Sequence, residues 1–296
     1  MALRHVIRDT KNFFNIGKLR KQLEFDRWKS IIEQETLNNT EPGISDERYC
    51  DNEIVVSLTS YGKRVETVYL AIASMMRQSL KPNRILLWLG EEFKDKRLPA
   101  TLGLLQKRGL EIRFCKDIRS YTKLIPSLEE FPDAAIITID DDMIYDFELV
   151  DRLVRAHIRE PKTVWCLRMT EITFGSNGEI APYKRWAPGK TEHESPMNFA
   201  TGVGGILYPP HTFTDEIFDR KKFMSLAPTA DDLWFKAMEI ASGVKVKKIP
   251  TKNPSGEDYI SGIVPHSEGL AGHNVDNGGN DATIRALSSY FDLLPR

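Results

Sequence analysis

Long apolar runs are missing from this chain of 296 residues. No stretch approaches the roughly 18 to 20 consecutive apolar residues that a membrane-spanning helix needs, and the N-terminus has no signal-peptide core. Cysteine is scarce. Cys50, Cys115 and Cys166 are odd in number and widely spaced, which excludes a disulfide framework, gives no zinc spacing and fits a reducing cytoplasm. Net charge is also nearly absent: at −1, there is no general electrostatic reason to expect nucleic acid as a partner. Internal repeats and low-complexity tracts are lacking, which excludes a solenoid. What is present, 28% charged and 41% hydrophobic residues, is the composition of a soluble globular protein with one large domain or two modest ones.

Residues 1 to about 40 place Phe13, Phe14, Ile16, Leu19, Leu23, Trp28, Ile31 and Ile32 at loosely helical spacing. The first 30 residues carry eight Lys/Arg against three Asp/Glu. Two readings are open. The arm is a helical hairpin packed on the main domain with a solvated basic face, or it lies on an anionic membrane surface as a peripheral contact. The segment NNTEPGISDE, residues 38–47, reads as a linker from its Pro, Gly and Asn content.

From residue 53 strands and helices alternate. EIVVSLTS, RILLWLG, LEIRFCKD, AAIITID and TVWCLRM read as strands. VETVYLAIASMMRQS, LPATLGLLQKRG (stopped by Gly109), KLIPSLEEFP and FELVDRLVRAHIREP read as the helical connections between them. Continuous apolar strands alternating with helices predict an α/β fold, with a mostly parallel sheet covered on both faces. Ligands of such sheets bind beyond the carboxyl ends of the strands. TSYGKR, KDIRSY and the triplet Asp140, Asp141 and Asp142 all fall at such ends.

The triplet poses a physical problem, because repulsion and desolvation both oppose three carboxylates at the end of the most apolar strand. A bound cation resolves it. Mg²⁺ or Mn²⁺ takes carboxylate oxygens and keeps positions open for phosphate, and Asp140 and Asp142, at i and i+2, can clamp one. An acidic loop exposed to water is the plainer alternative. A second acidic pair, Asp231 and Asp232, follows Thr229 and opens an apolar helix, where acids are favoured for dipole reasons alone and Thr229 is a candidate cap.

With the segments TGVGGILYPP (201–210) and APTADDLWF (227–235) following the D-x-D in that order, residues 53 to about 285 resemble GT-A-fold nucleotide-sugar glycosyltransferases. The resemblance is to the broad inverting family that contains bacterial capsule and O-antigen enzymes. It implies a Rossmann-like domain over 51–296, with a nucleotide-binding half (51–145), an acceptor half (146–296) and an N-terminal helical arm and linker (1–50). It implies a donor that is a nucleoside-diphosphate sugar, an acceptor that is a glycan or lipid-linked oligosaccharide, and Mn²⁺ or Mg²⁺ as cofactor. One acid of Asp231/Asp232, with Asp232 matching the base position better, deprotonates the acceptor hydroxyl. Thr59, Ser60 and Tyr61 meet the nucleoside and Arg64 reaches the diphosphate. Asp117 meets the base edge, Lys123 a phosphate oxygen and Asp141 the ribose, and Gly204 and Gly205 lie under the sugar. His273, or His266, adds a late metal ligand. For Arg64, Lys123, Tyr61 and His273 a solvated or merely packed side chain is the competing reading.

The Q-x-x-R-W segment of processive synthases is absent, which favours addition of one or a few sugars over polymer extrusion. A haloacid-dehalogenase-type phosphatase needs its D-x-D after the first strand with Thr two residues on, where this chain has Ile144. A glycoside hydrolase needs two carboxylates facing across the bond, which adjacent aspartates serve poorly. A non-catalytic nucleotide-sugar or glycan-binding protein of the same fold remains as the alternative from another class.

Overall fold

The computed structural model describes residues 2–253, 257–263, 272–291 and 293, and within the first helix the side chains of residues 16, 17 and 19 onward. The chain opens with α1 (Ala2–Asn38) and then alternates: β1 (Ile54–Thr59), α2 (Tyr69–Met76), β2 (Arg84–Gly90), α3 (Ala100–Gln106), β3 (Leu110–Cys115), α4 (Ile125–Glu130) and β4 (Ala135–Thr138). After the acidic triplet come β5 (Met143–Tyr145), α5 (Leu149–Arg159), β6 (Thr163–Cys166), β7 (Met169–Glu171), β8 (Ala187–Pro188), β9 (Asn198–Ala200) and β10 (Ile206–Tyr208). The chain continues through α6 (Arg220–Leu226), α7 (Asp231–Ala241), β11 (Lys245–Lys248), β12 (Tyr259–Ser261) and α8 (Gly279–Tyr290).

Seven strands form one sheet in the order β11-β6-β10-β4-β1-β2-β3. Every pairing is parallel except those of β10, which lies antiparallel between β4 and β6. The register sets Val55 beside Ile136 and Ser57 beside Thr138, so β1 and β4 end together. Alternation along each strand feeds two cores. Val56, Leu58, Leu87 and Ile137 pack with α1, α2 and α5; Val55, Leu86, Trp88, Ile136 and Cys166 pack with α4, α6, α7 and α8. The mostly parallel, doubly covered, Rossmann-like sheet is as the sequence predicts. Each fully buried Val, Ile or Leu contributes about 1.5–3 kcal/mol, which is why apolar runs with no polar alternation make the central strands.

Several local readings change. The N-terminal segment is one continuous helix and no hairpin. Its C-terminal half is held by buried Phe25 and Ile32, with Trp28 packed on the same core, while Ile16, Leu19 and Leu23 stand exposed. The long helix expected from Val65 is a short 3-10 turn (Gly62–Glu66) followed by α2. TVWCLRM is two strands in different sheets: β6 sits in the main sheet, and β7 joins β8 and β9 in a small antiparallel sheet. Thr229 is not the cap of α7. That place is taken by Ala230 without a side-chain cap, and the Thr229 hydroxyl donates to Asn274 instead, at 2.9 Å. The sequence GGNDATIRAL offers Asn280 or Asp281 as the cap of the last helix, but Gly278 takes that place in the left-handed conformation, and the Asp281 carboxylate accepts the Tyr183 backbone N–H. Among the described residues, no helix is long and apolar enough to cross a membrane.

Candidate functional site

Five carboxylates, the buried Lys123 and the half-buried Arg64 meet at the carboxyl edge of the sheet. Beyond β4 the chain turns through Asp140, Asp141 and Asp142, and the Asp140 backbone N–H donates to the hydroxyl of buried Tyr145 at 2.8 Å. From the loop after β1, the Ser60 hydroxyl donates to Asp141 at 2.6 Å. Arg64, in the 3-10 turn, bridges Asp141 and Asp142 through a single nitrogen, Nη2, which is 2.8 Å from Asp142. From the loop after β3 comes Lys123, only 6% exposed. Its Nζ lies 3.0 Å from Asp140 and 3.0 Å from Asp231. One ammonium therefore ties the acidic triplet to the pair that opens α7. Its bond to Asp140 is well directed; the contact with Asp231 is an ion pair, and the facing Asp231 oxygen has no directed hydrogen bond.

Asp232 is held by one bond from the glycine segment. Its Oδ2 accepts the backbone N–H of Gly202 at 3.0 Å, and its Oδ1 is buried with no hydrogen-bond partner. Burial, and then the neighbouring Asp231 charge, push its carboxyl up to about 7. Asp142 is pushed up to about 6 by burial and then by Asp140, against the pull of Arg64. Asp141 is also raised, with burial outweighing Arg64 and Ser60. For Lys123, burial alone lowers the ammonium, but Asp140, Asp231 and Asp232 outweigh it and hold it well above its ordinary range. Arg64 follows the same balance, with Asp141 and Asp142 as partners. Two cations thus face five carboxylates, three of which, Asp141, Asp142 and Asp232, have their carboxyls raised chiefly by burial.

The glycine segment contributes through a residue the sequence did not single out. A Cβ on Gly202 would lie 2.7 Å from Lys123 Nζ, 3.2 Å from Asp232 Oδ1 and 3.4 Å from Asp140 Oδ1. Only the absence of a side chain lets the two acidic motifs and the lysine close on one point. At Gly204 and Gly205, expected under the sugar, an added Cβ would meet Arg168 and the Leu149 side chain respectively. Gly205 takes φ +88 to turn the chain into β10. The signal for Gly202 was its place two residues before Gly204; nothing local marked which glycine faced the carboxylates.

The other expected residues are placed as follows. The Thr59 hydroxyl donates to the Trp88 carbonyl at 3.0 Å. Tyr61 is 51% exposed, with its ring 5.4 Å from the Arg64 guanidinium, and is open to a stacking partner. Asp117 is exposed and accepts the Arg119 N–H at 2.7 Å, fixing its own turn. Lys123, expected at a phosphate oxygen, has its ammonium between Asp140 and Asp231. His273 is exposed in a short π-turn (Gly272–Asp276) and, among the described residues, makes no hydrogen bond or ion pair with the aspartates. Its neighbour Asn274 is bonded to Thr229, just ahead of α7. His266 lies outside the described residues.

Among the described residues, no three or more His, Cys, Asp or Glu side chains converge as a ready-made metal site. The donor chemistry nevertheless fits a hard divalent cation. Mg²⁺ in phosphate-handling sites is held by one or two carboxylates plus substrate phosphates, and Asp140 and Asp142 are the two that could hold it here. The excess of carboxylates over cations supplies the electrostatic reason to bind it.

No family model matches this chain, and no curated protein matches it. Among solved structures it is similar to the inositol-1-phosphate CTP transferase from T. maritima, with 10% sequence identity and a TM-score of 0.40 over 70% of this chain and 92% of that one.

Proposed function

We propose that this chain is a metal-dependent glycosyltransferase that moves a sugar, with inversion, from a nucleoside-diphosphate sugar to a glycan or lipid-linked acceptor in surface polysaccharide synthesis. The observation that carries the reading is the junction of the D-x-D turn with the Asp231/Asp232 pair through buried Lys123 and side-chain-less Gly202. A structural acid pair at a helix start has no need of such a junction.

In this reading Asp140 and Asp142 would hold the cation, which when bound would supply Lewis-acid stabilisation of a diphosphate leaving group. Tyr61 and the loop around Thr59 and Ser60 receive the nucleoside, and Arg64 faces the diphosphate. Lys123 lies 3.0 Å from Asp231, and burial, then the neighbouring Asp231, raises Asp232. Asp232 thereby has the neutral-range basicity that suits a general base. Its Gly202-bonded oxygen fixes the carboxyl plane, and its unpartnered oxygen takes the proton of the acceptor hydroxyl.

The experiment is a donor screen: nucleotide sugars with Mn²⁺, scored by released nucleoside diphosphate, with and without chelator. Slow donor hydrolysis that disappears in chelator is expected. Tight nucleotide-sugar binding without any turnover, even with acceptor mixtures, would favour the non-catalytic binding protein instead.

A further inference from the structure

Arg64 is tied to the triplet by an incomplete set of bonds. A guanidinium carries five N–H donors. Here one nitrogen serves both Asp141 and Asp142, while Nε is buried with no acceptor. The Asp142 oxygen held by Arg64 cannot also ligate a divalent ion without setting two cations about 3–4 Å apart, where they repel strongly in a partly buried site. A diphosphate, by contrast, offers the bidentate oxygens that a guanidinium prefers, and the neighbouring Tyr61 ring marks the same side of the loop as open.

We propose that Arg64 and the divalent cation are alternative counter-ions of Asp142, and that the donor diphosphate decides between them by drawing Arg64 off the carboxylate. The inference rests on the metal-dependent reading above. Its consequence is positive coupling: cation and diphosphate each raise the affinity for the other, by the same factor. Protein alone holds the cation weakly because its own arginine competes.

The test measures Mn²⁺ binding to full-length protein, by electron paramagnetic resonance of free Mn²⁺, with no sugar donor present. Arg64→Gln removes the competing charge and keeps a polar side chain. It is expected to bind Mn²⁺ alone about tenfold more tightly than wild type, and to gain more melting temperature from Mn²⁺. Arg64→Lys keeps the charge and is expected to stay near wild type. Inorganic pyrophosphate, a probe without a base, is expected to raise the Mn²⁺ affinity of wild type by about fivefold or more, and that of Arg64→Gln by less, after correction for Mn²⁺–pyrophosphate in solution. If Arg64→Gln fails to fold, the lysine variant and the pyrophosphate coupling still decide. An Arg64→Gln affinity equal to or below wild type overturns the exchange while leaving metal dependence standing. Absence of Mn²⁺ binding in every form, with or without pyrophosphate, overturns the metal reading itself.

Discussion

Replacing Asp232 by Asn separates a general base from a helix-start acid. Asparagine keeps the size, and its carbonyl oxygen can accept the Gly202 N–H that now bonds Asp232 at 3.0 Å, so the loop stays anchored. It cannot take a proton from an acceptor hydroxyl. Turnover should fall by about 10²–10⁴-fold, the usual worth of a general base, with donor and metal binding retained. The stability signature is independent of any substrate. Burial and Asp231 raise Asp232 to about 7 in the fold, against about 3.9 for a free aspartate. Between those values the folded chain holds a proton that the unfolded chain has lost. Stability from this group is therefore complete below about pH 4 and is lost as pH rises to about 7, at up to about 1.4 kcal/mol per pH unit. Urea unfolding of wild type and Asp232→Asn, without divalent ions, from pH 4.5 to 8.5 reads it: the variant should lose that slope and be at least as stable as wild type at high pH. The kcat/KM of wild type should rise with pH through the neutral range, opposite to its stability. An Asn variant that turns over normally, or one that keeps the full pH slope of wild type, would refute the base assignment.

Asp142→Ala should abolish metal-dependent donor hydrolysis, and excess chelator should do the same to wild type; full activity in chelator ends the metal assignment. Gly202→Ala should cut turnover at least about tenfold, because its Cβ would sit 2.7 Å from Lys123 Nζ and force the lysine or the carboxylates apart; alanine at Gly103, where a Cβ meets nothing and φ is ordinary, leaves the site untouched and is the control. The arm is testable by truncation, which must stop short of Phe25 and Ile32 because both are buried against the domain. Deleting residues 1–20 should leave the melting temperature nearly unchanged and lower co-sedimentation with phosphatidylserine vesicles at low salt, as expected for a basic face with exposed Ile16, Leu19 and Leu23; equal sedimentation of both forms removes the membrane role.

The sequence by itself determined the sheet, because a strand buried on both faces must be apolar at every position and VVSL, ILLWL and AIIT are close to that limit. It also determined that the acidic triplet falls at a carboxyl edge, since strand direction follows from βα alternation. It did not determine the split of TVWCLRM between two sheets, because a run of apolar residues does not record which sheet each half joins. Nor did it reveal the single long helix at the N-terminus, where hairpin and continuous helix share one periodicity. The site was legible only as two separate acidic motifs. That Lys123 spans them, that Gly202 rather than Gly204 or Gly205 faces them, and that Arg64 holds Asp141 and Asp142 are facts of through-space distance. Tertiary structure alone decided them, because a carboxylate's proton affinity and a glycine's need for an empty Cβ position are set by neighbours that the chain brings from distant loops, and no local pattern of residues encodes which neighbours those are.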